Sequence, residues 1–291
     1  MYKLIAIDLD GTLLDSYGEV SKENKQAIQK AKEQGSIIVI ASGRMPQAIY
    51  SLAKEIGADE YTICGNGTLI YDFKQDKAIY DAFMEKEKVL QIIQICEENS
   101  IYYNVYTENE VLTKSLNYNA LYYDNENNNK PEEKRTNIHL VDDVYSYLKE
   151  KEKIQILKMT ICDSDKIIFS SIIKKLKNIP KIDVLEVEHM ARKNIKQGTS
   201  TIPMEYYYTE IAKENSNKWA ALSFLMQVLQ IPKEEVMAIG DNVNDKEMVQ
   251  NAGLGVAMGN SMLSANQIGD VFVASNNENG VAQAILQYAI L

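Results

Sequence analysis

Asp8 and Asp10, two residues apart at the end of an apolar run, are well placed to do chemistry, as are Asp241 and Asp245 after a second such run. Thr12 lies beside the first pair, and Gly240 frees the backbone ahead of the second. Carboxylates gathered at one place repel each other strongly where the dielectric is low, and a bound cation removes that cost. An all-oxygen set of ligands favours a hard ion, and Mg²⁺ that keeps part of its water shell suits phosphate chemistry. Aspartates also build loops and helix caps, and a motif as short as DLDGT arises by chance. DLDGT together with GDNVND, each closing an apolar strand, points to a site.

Ser42 and Gly43 close another apolar run. A serine hydroxyl and a glycine N–H there can hold a phosphate oxygen at a helix N-terminus. Ser42 can equally serve as an ordinary helix cap ahead of Pro46. Lys218 opens a helix, where a cation opposes the macrodipole, and local rules broken in this way mark functional sites. It can cancel phosphate charge and restrain the Asp8 carboxylate, although the usual fate of lysine is a solvated surface. Spacing alone does not say whether Asp8 or Asp10 would attack.

The elements that must position these residues alternate. Leu4 to Ile7, Ile37 to Ala41 and Tyr61 to Cys64 read as short buried strands. Between the first two, Ser21 can cap a helix carrying Ala27, Ile28 and Ala31, which Gly35 can end. Between the second and third, Pro46 fits a first turn, with Ile49, Leu52, Ala53 and Ile56 forming one stripe that Gly57 closes. This β-α-β-α-β order predicts an α/β fold with a Rossmann-like, doubly wound parallel sheet. Ligands bind beyond the carboxyl ends of such strands, where the aspartates lie.

The alternation breaks after Gly65-Asn66-Gly67. Leu69 to Asp72 and Ala78 to Phe83 read as a hairpin. Strands at Tyr102 to Thr107, Glu110 to Thr113, Ile154 to Cys162 and Ile182 to Val187 follow, with helices at Val89 to Cys96 and Lys166 to Lys177. The stretch Asn117 to Asn137 reads as a loop around a short helix. These segments predict an inserted α+β domain at 84–205, with 1–83 and 206–291 forming the core domain. The core resumes with a helix from Lys218 to Leu229 and strands at Val236 to Ile239, Leu254 to Met258 and Val271 to Ala274. A helix separates the last two strands, and a final helix carries Val281, Ala282, Ile285 and Leu286.

Composition is that of a globular chain. The net charge of −10 argues against nucleic acid or an anionic membrane as the main partner, since both need a basic face. Cys64, Cys96 and Cys162 form no CxxC and read as reduced and buried. His139 and His189 sit in no ligand pattern. The start of the chain lacks a leader and no apolar run reaches spanning length, so a cytoplasmic protein is expected. Lys174, Lys175 and Lys177 read as a solvated helix face.

IAIDLDGTLL, IASGR, TEIAKENSNKW and MAIGDNVNDKEMVQNAGLGVAMGN resemble the four motifs of the haloacid dehalogenase-like hydrolases, and within them the Cof-type (subfamily IIB) sugar-phosphate phosphatases. The resemblance covers the whole chain and implies the following roles. Asp8 attacks phosphorus and forms an aspartyl-phosphate. Asp10 protonates the leaving alcohol and then deprotonates the hydrolytic water. The Asp8 carboxylate, the Asp10 main-chain carbonyl and Asp241 hold Mg²⁺, with Asp245 supporting it through water or directly. The Leu9 N–H, Ser42, Gly43, Lys218 and Asn244 bind the phosphoryl oxygens. Arg44 and Asn66 could face the substrate, though Asn-Gly is also a plain turn signal.

The insertion corresponds to the family's cap, which selects the substrate. Trp219 stands where the family often has glycine, and is expected either to pack in the core or to narrow the site. The stretch Ala191 to Tyr208 matches the family pattern weakly. The expected function is Mg²⁺-dependent hydrolysis of small phosphorylated metabolites. The alternatives are a phosphohexomutase, which would return the phosphate to the sugar, and a non-catalytic sensor of a phosphorylated ligand. The sensor ranks last because Asp8, Asp10 and Lys218 are all present.

Overall fold

The computed structural model describes residues 1–128, 132, 135–185, 191–197, 200–261 and 269–290. The chain divides into two compact units, one of Met1–Asp81 with Ser216–Leu291 and the other of Ala82–Asn215.

The first unit opens with β1 (Leu4–Ile7), α1 (Lys22–Glu33), β2 (Ile37–Ala41), α2 (Pro46–Ile56) and β3 (Thr62–Cys64). Ser21 caps α1 by accepting from the Asn24 N–H, and Gly57 closes α2 at φ 67°. A hairpin of β4 (Leu69–Asp72) and β5 (Lys77–Asp81) follows.

The second unit contains α3 (Lys86–Glu98), β6 (Tyr102–Thr107), β7 (Val111–Thr113), α4 (Tyr118–Asn127), β8 (Ile138–Leu140) and α5 (Val144–Glu150). It continues with β9 (Ile156–Asp163), α6 (Lys166–Leu176), β10 (Ile182–Val184), β11 (Ala191–Gln197) and β12 (Ser200–Lys213). The chain returns to the first unit for α7 (Lys218–Leu229), β13 (Val236–Gly240), α8 (Lys246–Asn251), β14 (Leu254–Ala257), β15 (Val271–Phe272) and α9 (Gly280–Ala284).

Among the described residues, the first sheet runs β15-β14-β13-β1-β2-β3-β4-β5. Its pairings are parallel from β15 to β3 and antiparallel in the β3-β4-β5 end. The doubly wound α/β expectation therefore holds. Leu4, Ala6, Val39 and Ala41 pack with Ala221, Leu222 and Leu225 of α7 and Met248 of α8. Ile5, Ile7, Ile38 and Ile40 alternate onto the opposite face and are also buried. From β1 the chain winds one way to β2 and β3, then returns on the other side as β13 to β15. The switch between these directions lies beside β1, where an open α/β sheet leaves a crevice.

In the second unit the sheet runs β10-β12-β9-β6-β7-β8, with β11 pairing on β12. One face meets α3, α5 and α6 through Val105, Met159, Ile161 and Ile211. The alternate positions mix polar and aromatic residues with the buried Val111 and Cys162. Lys158 is buried and pairs with Glu210 at 2.7 Å, and the buried Asn104 amide donates to Thr160 at 3.2 Å. Lys158 also lies over the Tyr106 ring.

The expected domain boundaries need correction. The expected split at 205/206 falls instead between Asn215 and Ser216, because Tyr207 to Ile211 pair with β9 and keep this stretch in the second sheet. The expected split at 83/84 falls between Asp81 and Ala82. The short elements β8 and α5 and the long β11-β12 hairpin escaped the pattern reading. The helix expected between the last two strands falls partly on 262–268, and His189 on 186–190, both outside the described residues. Cys64, Cys96 and Cys162 are free and buried, and burial raises all three thiols. Among the described residues no helix is long and apolar enough to cross a membrane.

Candidate active site

Asp8 directly follows β1, Asp241 follows β13 and Ser42 follows β2, so three neighbouring parallel strands deliver their loops to one edge of the sheet. Lys218, the first residue of α7, is fully buried, and its Nζ donates to Asp8 Oδ1 at 2.5 Å and to Asp245 Oδ1 at 2.6 Å. The preceding Asn217 caps α7 by accepting from the Ala220 N–H, so this helix begins with its cation turned inward. Asp245 Oδ2 accepts from the backbone N–H groups of Asp241 and Asn242, each at 3.1 Å. The Thr12 hydroxyl donates to Asp241 Oδ1 at 2.9 Å. Gly11 has φ +90°, and a Cβ there would lie 2.5 Å from Asp241 Oδ2. That close approach excludes any side chain.

Asp8, Asp241 and Asp245 can each offer an oxygen with all such atoms within 4.8 Å of one another, and all three residues are buried. Three carboxylates against one ammonium leave two negative charges. Burial, with Asp245 beside it, holds the Asp8 carboxyl well above the usual carboxylate range, though Lys218 opposes this. Burial and then Asp245 push Asp241 up to about 6. Burial by itself would lower the Lys218 ammonium, but Asp245 and Asp8 outweigh it and hold it raised. The site is short of positive charge, and an all-oxygen set fits a hard divalent cation that would supply it. Both oxygens of Asp245 already accept hydrogen bonds, so its geometry suits support of an ion more than primary ligation.

The other expected residues lie in the same set of loops. Leu9 is fully buried between the two N-terminal aspartates. Ser42 is fully buried, and its Oγ accepts from the Arg44 N–H at 3.1 Å. The cap of α2 is Met45, so Ser42 is not that helix's cap. Arg44 meets Asp10 through two bonds, Nε to Oδ2 at 2.9 Å and Nη2 to Oδ1 at 2.5 Å. Asn244 Nδ2 donates to Asn66 Oδ1 at 3.0 Å, and Gly43 lies against the Asn66 side chain. Trp219 is partly buried and packs on the core rather than standing apart from it.

Several supporting contacts had no sequence signal. Asn260 donates to the Gly11 carbonyl at 2.8 Å and the Ser261 hydroxyl to the Asp241 carbonyl at 2.7 Å. The Arg44–Asp10 and Asn66–Asn244 pairs span 34 and 178 residues of sequence, distances at which no local rule operates.

Residues 5–285 match the family of haloacid dehalogenase-like hydrolases. The chain belongs to that family, as its four motifs led us to expect. It is similar to phosphatase YwpJ of Bacillus subtilis (strain 168), 29% identical over 288 residues that span 96% of this chain and 97% of the relative. A solved haloacid dehalogenase-like hydrolase from Bacteroides thetaiotaomicron is 28% identical, with a TM-score of 0.79 and 99% of each chain covered. A subclass IIB sugar phosphatase of the same superfamily shares the fold at a TM-score of 0.76, with 21% identity and 99% and 100% of the chains covered. The expected enzyme class, a phosphoric monoester hydrolase, is the class of the named phosphatases among these proteins.

Proposed function

We propose that the chain is a Mg²⁺-dependent phosphatase of small phosphorylated metabolites, sugar phosphates foremost, acting in the cytoplasm through an aspartyl-phosphate on Asp8. The observation that carries this reading is the buried Asp8 carboxylate, pinned by Lys218 beside Asp241 and Asp245 at the sheet's switch point. Asp8 and Asp241, with the Asp10 main-chain carbonyl, would hold Mg²⁺, and Asp245 would support it. When bound, the ion would offset the charge of the phosphoryl oxygens and so lower their repulsion of Asp8.

An Asp8 oxygen attacks phosphorus while the ester oxygen leaves as an alcohol, taking its proton from Asp10. Water then attacks the same phosphorus, gives its proton to Asp10 and releases phosphate, which restores the Asp8 carboxylate. Arg44 orients Asp10 through its two bonds. The Leu9 and Gly43 backbone, the Ser42 hydroxyl, Lys218 and Asn244 are the groups suited to the phosphoryl oxygens. Most of the rate gain is positioning and charge stabilisation.

The second unit is read as the cap that selects the leaving group. The test is phosphate release from a panel of phosphorylated sugars and cofactors in Mg²⁺. The wild type should release phosphate, lose that activity in chelator and regain it with Mg²⁺, while Asp8→Asn stays inactive. Full activity in chelator would overturn the metal assignment. Interconversion of hexose phosphates without net phosphate would move the reading to a mutase.

A further inference from the structure

We propose that Asn66 is a positioning residue that aims the amide of Asn244 at the phosphoryl group and ties together the loops that bind it; this rests on the phosphate-binding role read for Asn244. Asn66 sits in the turn Gly65-Asn66-Gly67 at φ 58°, ψ 33°. This left-handed region is costly for most side chains and tolerated by asparagine. The turn touches three segments of the site. It is bonded to the β2 loop, with the Gly65 N–H donating to the Arg44 carbonyl and the Asn66 N–H to the Ser42 carbonyl, each at 2.9 Å.

Gly43 is held so close that a Cβ on it would lie 2.9 Å from Asn66 Oδ1. A Cβ on Gly67 would lie 2.0 Å from the Asn217 carbonyl oxygen and 2.7 Å from the Lys218 nitrogen, so the turn also abuts the start of α7. The third segment is the loop after β13, reached by the 3.0 Å bond from Asn244 Nδ2 to Asn66 Oδ1.

The chemistry of that last bond sets the direction of the Asn244 amide. A primary amide has two N–H groups on one end and a bare oxygen on the other. With Asn66 Oδ1 accepting one N–H, the nitrogen end keeps a second N–H to donate to an anion. Turned over, the amide would set its oxygen against the Asn66 carbonyl. With its carbonyl facing Asn244, Asn66 favours the orientation that attracts phosphate. A residue read only as a turn signal, or as a possible substrate contact, acts instead through its neighbour.

Asn66→Gly tests this, because glycine keeps the positive φ and removes only the side chain. The readouts are inhibition by inorganic phosphate and KM for p-nitrophenyl phosphate. Loss of one oriented hydrogen bond should weaken both on the order of 10-fold, with the half-activating Mg²⁺ concentration unchanged. Asn244→Ala should weaken them at least as much, and Asn66→Gly should add less than about 2-fold in that background, since coupled residues are not additive. Full additivity, or an unchanged phosphate inhibition in Asn66→Gly while Asn244→Ala weakens it, would overturn the proposal. An unchanged inhibition in Asn244→Ala would overturn both the phosphate-binding role of Asn244 and the tether built on it.

Discussion

At the scale of single residues the site is a charge balance. Among the described residues, Lys218 is the cation in contact with Asp8 and Asp245, and it is fully buried. Lys218→Met keeps most of the apolar volume and removes the ammonium. Two buried carboxylates then lose their partner, and breaking a buried pair in this way costs about 3–5 kcal/mol. Thermal unfolding in chelator should show that loss, and Mg²⁺ should raise the Tm of Lys218→Met more than that of the wild type. An unchanged Tm in chelator would mean that Asp8 and Asp245 do not depend on Lys218. The residue types and their order are legible in the sequence, where the aspartates and Ser42 close apolar runs and Lys218 opens a helix. Their pairing is not. The bond between Lys218 and Asp8 joins residues 210 positions apart, and only the return of the chain through α7 brings them together.

At the scale of elements the site depends on how tightly neighbouring loops approach. The β1 loop passes so near Asp241 that Gly11, at φ +90°, has no room for a methyl group. Gly11→Ala combines a strained backbone with a displaced carboxylate. It should cost at least about 1 kcal/mol in stability and raise the half-activating Mg²⁺ concentration, whereas a remote glycine such as Gly18, with nothing within 4 Å, should shift only the Tm. A Gly11→Ala enzyme with unchanged Mg²⁺ response would show that Asp241 does not require this packing. The strands and helices bearing the site were readable because they are continuous apolar runs or 3.6-period stripes with caps at their ends. β8, at three residues, and α5, at seven, are too short to show a period. β12 alternates across a sheet whose two faces are both partly apolar and aromatic, so its pattern is blurred.

At the scale of the whole molecule the insertion is a unit with its own core. Val89, Ile92, Ile93, Val105, Met159, Ile161, Phe169 and Leu176 belong to one buried cluster drawn from this unit's own residues. Residues 82–215 expressed alone should therefore give a single cooperative thermal transition with mixed α and β circular dichroism. A broad, non-cooperative melt would show that this core needs the rest of the chain. The expected boundary at 206 would cut β12 ahead of its pairing with β9, and a piece ending at 205, which lacks Tyr207 to Ile211, should be markedly less stable than one ending at 215.

The sequence by itself determined the fold class, the presence of an insertion and the chemical groups of the site. Those follow from local periodicity and from two acidic motifs that each close an apolar strand. The tertiary structure decided which group meets which: Lys218 with Asp8 and Asp245, Arg44 with Asp10, and Asn66 with Asn244. It also decided where the second unit ends, because a strand belongs to the sheet that accepts its hydrogen bonds, and that partner lies far away in sequence.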